Sequence, residues 1–224
     1  MNLATRLKMA YGAVAAIDTA LSASTRPMAH RTRFLTKPLL MPLLSASLAA
    51  TPGSSTARLP VLAAQAGGWF GDVALLSEQR KPFVIGTAGF GVGHLAYVAA
   101  FAPRRRDQPR LTEDPRARAL AALWAATAPA MAWDARKDGV AKVVAAYSVL
   151  LTSMAVAATR LDRAQSPAGR RLVAAGALTF LASDATLGMR KFVLDDPSPL
   201  VEGGVMATYT AAQFLISEGA ARLA

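Results

Sequence analysis

The sequence contains no cysteine and only two histidines. Without cysteine the chain can form neither a disulfide nor a catalytic thiolate. His30 and His94 are too few for a site with three histidines, whereas a catalytic zinc usually takes three protein ligands rich in His or Cys. The sequence therefore implies no metal, and it implies no organic cofactor either.

Charged residues are also scarce. They make up 17% of the 224 residues, against 53% hydrophobic residues, and the mean hydropathy is +0.31. A soluble domain of this size needs more charge to cover its surface. The composition therefore favours a polytopic membrane protein.

Acidic residues are outnumbered, with 14 Asp and Glu against 25 Lys and Arg, which gives a formal net charge of +11. Nucleic-acid binding would require a basic face with aromatic or groove-reading elements. Here the basic residues fall between apolar runs, as they do at the flanks of membrane spans. We therefore expect membrane lipids as partners and no nucleic acid; the sequence carries no signal for an oligomeric state.

Apolar stretches predict an all-α membrane protein with eight transmembrane helices in one bundle, as a single domain over residues 1–224. The expected spans are 7–24, 38–51, 58–77, 81–101, 117–133, 140–159, 170–190 and 200–220. Several are shorter than the about 20 residues that cross a bilayer, and 38–51 is the weakest, so six or seven spans are the alternatives. The first run lacks a small-residue cleavage site, which favours a retained helix over a signal peptide.

The basic residues also predict an orientation in the cell membrane. With eight spans, more of the 25 Lys and Arg residues lie on the side of the two termini. This side includes the loop 102–116, which contains Arg104, Arg105, Arg106 and Arg110. Basic loops favour the cytoplasm, so we expect a multi-pass protein with both termini cytoplasmic.

Two aspartates, Asp72 and Asp184, lie near the ends of apolar segments. Ionisable groups inside a membrane span are costly, so they are candidates for a functional site. Because successive spans alternate in direction, a rise of about 1.5 Å per residue places both aspartates, Tyr147 and Tyr209 in one slab roughly 5–6 Å thick. Asp18 falls in the same slab, and we expect a structural role for it.

Other polar residues lie above and below this slab. Lys37 is expected at the mouth of the second span, and His94 and Gln213 in a deeper layer. His94 shares a helix face with Tyr97. Glu202 starts the polar stripe that leads to Gln213 on the last span, and we expect it to be solvated near the helix end.

Six short motifs occur in order along the chain. They are Thr-Lys-Pro-Leu-Leu-Met-Pro (Thr36 to Pro42), Gly-Asp-Val-Ala-Leu-Leu (Gly71 to Leu76), Gly-His-Leu-Ala-Tyr (Gly93 to Tyr97), Tyr147 with Met154, Gly-Ala-Leu-Thr-Phe-Leu-Ala-Ser-Asp (Gly176 to Asp184) and Tyr-Thr-Ala-Ala-Gln-Phe-Leu-Ile (Tyr209 to Ile216). Together they resemble the YhhN-like lysoplasmalogenase family of integral membrane proteins, over about residues 36–219.

The resemblance implies an eight-helix membrane hydrolase that cleaves the vinyl ether bond of lysoplasmalogens or a related ether lysolipid. The lysophospholipid substrate would yield a fatty aldehyde and a glycerophospho-headgroup. The polar positions of the family carry over to Asp72 and Asp184, which we expect to be catalytic, and to a further set of residues, which we expect to bind the substrate. That set is Lys37, His94, Tyr97, Tyr147, Ser183, Tyr209 and Gln213.

Cleavage of a vinyl ether needs an acid that protonates carbon, an anion that faces the resulting oxocarbenium ion, and a positioned water. Two carboxylates in different environments can divide these tasks, as they do in glycosidases. We expect Asp72 and Asp184 to do so, with Tyr147, Tyr209 and Gln213 fixing the water or the enol oxygen. The alternatives are a proton-coupled transporter or lipid carrier with the acids as relay sites, or a structural or regulatory membrane protein.

Overall fold

The computed structural model describes residues 1–53, 55–77, 79–104 and 108–223. These residues form eight α-helices and no β-strand, which confirms the all-α prediction. Arg105 and Arg106 of the predicted basic loop lie outside the described residues. The helices are α1 (Leu3–Ser22), α2 (Pro27–Ala49), α3 (Arg58–Ala74), α4 (Arg80–Phe101), α5 (Pro115–Asp134), α6 (Ala141–Thr159), α7 (Pro167–Phe192) and α8 (Pro199–Ala220).

Proline and capping side chains set where several helices begin. Helices α2, α5, α7 and α8 each have proline in the first turn, where the missing N–H would have no intrahelical partner. Asn2 caps α1 by accepting a hydrogen bond from Thr5 N at 2.9 Å. Asp114 caps α5 in the same way through Arg116 N, also at 2.9 Å.

Helix α2 differs most from its predicted span of 38–51, because it begins eleven residues earlier, at Pro27. Basic residues in its first three turns lower the local hydropathy, and Pro38 and Pro42 lie inside the helix. Yet Arg33 and Lys37 point inward and are buried. Lys37 therefore lies about 15 Å along α2 from Pro27, and not at the mouth of the helix as predicted.

The helices close into a ring that leaves α5 outside. Each ring helix packs on the next in the order α1, α2, α3, α4, α6, α7, α8, and α8 returns to α1. Helix α5 packs on the outer side of this ring, mainly against α6. Helix α8 also touches α2 and α3, so its side chains reach the interior of the ring.

Glycine allows the closest helix contacts. A Cβ added at Gly176 of α7 would lie 2.8 Å from the carbonyl oxygen of Ala212 on α8. A Cβ added at Gly67 of α3 would lie 2.8 Å from the carbonyl oxygen of Gly89 on α4. Backbones that approach this closely leave no room for a side chain, as is common where membrane helices pack.

Many large apolar side chains are exposed on the bundle, whereas several charged and polar side chains lie inside it. Among the described residues, three helical stretches are long and apolar enough to cross a membrane, namely Arg80–Arg104, Ala141–Thr159 and Pro167–Phe192. Large apolar side chains such as those of Phe34 and Leu95 are exposed, while Asp18 and Asp72 are buried. Exposed apolar side chains together with buried charges are typical of helices that face lipid.

Candidate active site

Asp72 lies in the last turn of α3 and is bound from two sides. Tyr209 of α8 donates a hydrogen bond to Asp72 Oδ2 at 2.6 Å, and Lys37 Nζ of α2 lies 3.6 Å from Asp72 Oδ1. Gly68, one turn earlier on α3, faces the Tyr209 hydroxyl, since an added Cβ would lie 3.6 Å from it. Three helices thus hold one buried carboxylate between a phenol and an ammonium group.

Asp184 of α7 has a separate set of partners. Tyr147 of α6 donates a hydrogen bond to Asp184 Oδ2, and His94 Nε2 of α4 lies 2.9 Å from the Tyr147 hydroxyl oxygen. His94 is 1% exposed, and its Nδ1 has no hydrogen-bond partner within the described residues. The three side chains form a continuous chain in which the middle group, a phenol, can both donate and accept.

Tyr97 and Gln213 continue the hydrogen bonds around Asp72 into the interior of the bundle. The sequence predicts Gln213 in a layer deeper than Asp72. Tyr97 donates a hydrogen bond to Gln213 Oε1 at 2.5 Å, and the Gln213 side chain is hydrogen-bonded to Tyr209. Both residues are 1% exposed. A polar chain therefore runs from Tyr97 through Gln213 and Tyr209 to Asp72.

An aromatic ring lies between the residues that surround Asp72 and those that surround Asp184. The Phe180 ring centroid lies 5.0 Å from that of His94 and 5.5 Å from that of Tyr209, both edge to face. The carboxylates of Asp72 and Asp184 are close enough to interact electrostatically. The fold thus brings together two acids that are far apart in sequence, with an apolar ring between their hydrogen-bonded partners.

Ser183 and Tyr11 hold the helices around this site. Ser183 is fully buried and donates a hydrogen bond to the Val205 carbonyl oxygen at 3.0 Å, which joins α7 to α8. Tyr11 of α1 donates to the Thr210 carbonyl oxygen at 2.8 Å and so joins α1 to α8. Tyr11 was not predicted, because no motif or periodicity in the sequence marks it.

A charged cluster of Asp18, Arg33, Arg190 and Glu202 lies beside the Asp72 group. Arg33 Nη1 lies 3.2 Å from Glu202 Oε1, and Arg190 Nε lies 3.1 Å from Glu202 Oε2. Arg33 Nε lies 3.6 Å from Asp18 Oδ1. The prediction that Glu202 is solvated is wrong, because its side chain is 17% exposed and pairs with two arginines.

Helical spacing could have revealed this cluster. Arg33 and Lys37 are four residues apart and so share a face of α2. Glu202 belongs to the same stripe as Tyr209 and Gln213 on α8. Arg33 was not predicted as a site residue, because the predicted second span begins after it.

An apolar exterior around buried acids, tyrosines and a lysine defines a helical membrane protein with an internal polar site. The family model of YhhN matches residues 32–220, and the chain belongs to the YhhN family. Proteins named Lysoplasmalogenase from Mycobacterium bovis and Mycobacterium tuberculosis are each 26% identical to it over 196 residues. Each alignment covers 81% of this chain and 70% of the relative. No solved structure matches the chain significantly.

Proposed function

We propose that this chain is a lysoplasmalogenase-like membrane hydrolase. It cleaves the vinyl ether bond of a lysoplasmalogen, or of a related ether lysolipid, to a fatty aldehyde and a glycerophospho-headgroup. The observation that carries the proposal is the pair of carboxylates inside the bundle, buried Asp72 and half-buried Asp184, each held by a tyrosine and within electrostatic reach of the other. Membership of the YhhN family and the names of the mycobacterial relatives support the same activity.

The different partners of the two acids suggest different roles. Lys37 lies beside Asp72 and favours its ionised form, so Asp72 is the anion that faces the developing cation. Asp184 has no lysine or arginine partner among the described residues, and although the Tyr147 hydrogen bond favours its carboxylate form, desolvation and the nearby Asp72 oppose a second negative charge, which suits a carboxylic acid that carries a proton. We therefore assign Asp184 as the acid and Asp72 as the base.

The reaction begins when protonated Asp184 transfers its proton to the β-carbon of the vinyl ether. The double bond becomes an oxocarbenium ion, which the Asp72 carboxylate stabilises. A water then adds to this cation while Asp72 takes one of its protons, which gives a hemiacetal. Collapse of the hemiacetal forms the aldehyde and breaks the bond to glycerol. Asp72 returns its proton to the glycerol oxygen, and the hemiacetal hydroxyl proton restores Asp184.

The remaining polar residues position these groups. Tyr147 and His94 form a hydrogen-bonded chain that can shift to accommodate either protonation state of Asp184. Gln213 and Tyr97 orient the Tyr209 phenol towards Asp72. Ser183 acts on the site through the α7–α8 contact that it makes.

The proposal includes the membrane arrangement. All eight helices cross the cell membrane as one domain over residues 1–224, with both termini in the cytoplasm. The apolar exterior and the concentration of basic residues on the side of the termini support this topology. The charged cluster and the Lys37–Asp72 pair then lie towards the opposite, non-cytoplasmic side.

The decisive experiment measures aldehyde release from 1-alkenyl-glycerophosphoethanolamine by purified protein in detergent. Wild-type protein should release aldehyde without a sealed compartment, which a transporter would require. We expect Asp72→Asn and Asp184→Asn each to lower kcat by about 100-fold or more, because general acid–base catalysis contributes roughly 10²–10⁴-fold. Asp196→Asn, in an exposed loop, is the matched control and should keep full activity. Near-full hydrolysis by either folded active-site variant would contradict the assignment.

A further inference from the structure

The charged cluster contains more buried polar atoms than its own members satisfy. Arg33 is 7% exposed and Asp18 is fully buried. Within the described residues, Arg33 Nε and Nη2 and Asp18 Oδ2 have no hydrogen-bond partner. Asp18 Oδ1, by contrast, accepts a hydrogen bond from the Thr36 hydroxyl at 2.6 Å. Arg33 Nε makes only an ion pair with Asp18 Oδ1, at 3.6 Å, so these donors and this acceptor keep hydrogen-bonding capacity for a polar ligand.

The cluster lies between the acid site and one end of the bundle. Arg33 is one turn before Lys37 on the same face of α2, and Lys37 contacts Asp72. Arg190 is in the last turn of α7, and Glu202 is in the first turn of α8. Their side chains are 31% and 17% exposed, so the cluster extends from the buried site to the surface.

We propose that the charged cluster binds the zwitterionic headgroup of the lysophospholipid, with Arg33 as the phosphate ligand and Asp18 as the ammonium ligand. This inference rests on the proposed function and names the part of the substrate that the cluster recognises. The free guanidinium nitrogens match phosphate oxygens, which arginine binds through two parallel hydrogen bonds. The free carboxylate oxygen of Asp18 matches an N–H donor of a primary ammonium group.

The spacing of the two sites fits one lipid molecule. Only the three glycerol carbons separate the phosphate from the vinyl ether oxygen in a lysoplasmalogen. Side chains four residues apart on a helix are about 5–6 Å apart at Cβ, so a phosphate at Arg33 would hold the ether beside Lys37 and Asp72. Glu202 orients both arginines and keeps the cluster near electrical neutrality before the lipid binds.

The Oδ2 atom of Asp18, which accepts no hydrogen bond within the described residues, predicts a preference between lipid headgroups. The ammonium group of ethanolamine has N–H donors, whereas the trimethylammonium group of choline has none. Ethanolamine lysolipids should therefore bind more tightly than choline lysolipids. A lipid without phosphate should lose the contacts with Arg33 as well.

Binding of an unreactive analogue tests the proposal independently of hydrolysis. 1-O-alkyl-glycerophosphoethanolamine lacks the vinyl double bond, and 1-O-alkylglycerol also lacks the headgroup. Titration calorimetry in detergent should show wild-type protein binding the first analogue about 10-fold or more tightly than the second, since a hydrogen bond to a charged group contributes roughly a factor of ten. Arg33→Lys keeps the charge beside Asp18 and Glu202 but loses the guanidinium fork, and it should remove most of this difference.

Two further variants complete the test. Arg222→Lys, beside Glu218 at the other end of the bundle, is the matched control and should bind both analogues as wild-type protein does. Asp18→Asn should bring the affinity for the ethanolamine analogue to that for the choline analogue, and it supplies a second readout if Arg33→Lys does not fold. Wild-type ratios in a folded Arg33→Lys or Asp18→Asn variant would overturn the headgroup site. Failure of wild-type protein to release aldehyde would instead overturn the proposed hydrolysis.

Discussion

At the scale of single residues, Lys37 tests how the two acids differ. Its ammonium group lies 3.6 Å from Asp72, so Lys37→Met leaves the proposed anion without its counter-ion. We expect kcat for aldehyde release to fall about 10-fold or more with a smaller change in KM, since a buried carboxylate loses its ion-pair partner. Lys8→Met, beside Glu218 at the other end of the bundle, is the control. Unchanged kcat and KM would rule out a role for Lys37.

Asp114 provides a pH test outside the spans. Burial opposes its ionisation, but hydrogen bonds from Arg116 N and from Arg160 Nε, the latter at 2.7 Å, hold the pKa of Asp114 below its ordinary value of 3.8. Because the folded pKa is depressed, the stability that Asp114 contributes is present above pH 3.8 and is lost as the pH falls through the folded pKa.

Asp114→Asn should therefore lower the melting temperature at pH 7, and the gap from wild-type protein should narrow as the pH falls below 3.8. Asparagine is also a good N-cap, so this variant isolates the charge from the capping hydrogen bond. Thermal unfolding in detergent at several pH values measures the effect, with Asp196→Asn as the exposed control. A difference in melting temperature between the two proteins that stays constant across this pH range would contradict the pH-dependent stabilisation by Asp114.

The partners of the acids could not be predicted from sequence. The rise per residue predicts that Tyr147, Tyr209 and both aspartates lie in one slab, and in the structure Tyr209 pairs with Asp72 and Tyr147 with Asp184. Depth depends only on rise per residue, whereas pairing depends on how each helix rotates and which neighbour it packs against. One sequence contains no direct record of those rotations.

At the scale of helices, the sequence predicted the end points well where proline, glycine or charge interrupts an apolar run. Helices α4, α6 and α8 differ from their predicted spans by no more than one residue at either end. The start of α2 was missed because Arg33 and Lys37 lower its hydropathy, although both point into the bundle. Hydropathy cannot distinguish a basic residue at a membrane flank from one that serves a buried site.

Gly176 tests the contact between α7 and α8. Gly176→Ala would place Cβ 2.8 Å from backbone atoms of Ala212 and Ile216, so the helices must separate. We expect a cost of about 1–3 kcal/mol in stability, as for other overpacked sites, and reduced activity because α8 carries Tyr209. Thermal unfolding and aldehyde release in detergent measure the two effects.

Gly204→Ala on α8 is the matched control, because a Cβ there meets nothing within 4 Å. It should leave activity unchanged and raise stability by up to about 1 kcal/mol, since alanine favours helix over glycine. Equal melting temperatures for Gly176→Ala and Gly204→Ala would contradict the close contact.

At the scale of the whole molecule, the absence of cysteine makes the topology easy to test. Thr112→Cys lies before α5 and Asp196→Cys lies before α8, and both positions are exposed. In intact cells, a membrane-impermeant maleimide should label Cys introduced at Asp196 and not at Thr112, which should react only after the membrane is permeabilised. Labelling of both positions, or of Thr112 alone, would overturn eight spans with cytoplasmic termini.

The sequence could predict that polar groups meet inside the bundle, because antiparallel neighbours bring equal depths together. It could not predict that α5 lies outside the ring or which ion-pair partners Arg33, Asp18 and Glu202 take. These features depend on the order of helices around the ring. That order follows from side-chain and backbone packing over the whole bundle, such as the glycine contacts of α3 with α4.

Closure of the ring by α8 sets an order of events during synthesis. Asp72 leaves the ribosome with α3, but the phenol that binds it belongs to Tyr209, more than one hundred residues later. Until α8 is inserted and packs against α1, the nascent protein has an acid without this partner and a gap between α1 and α7. Under the proposed mechanism, hydrolysis therefore requires the closed ring, and a chain that ends before α8 should release no aldehyde.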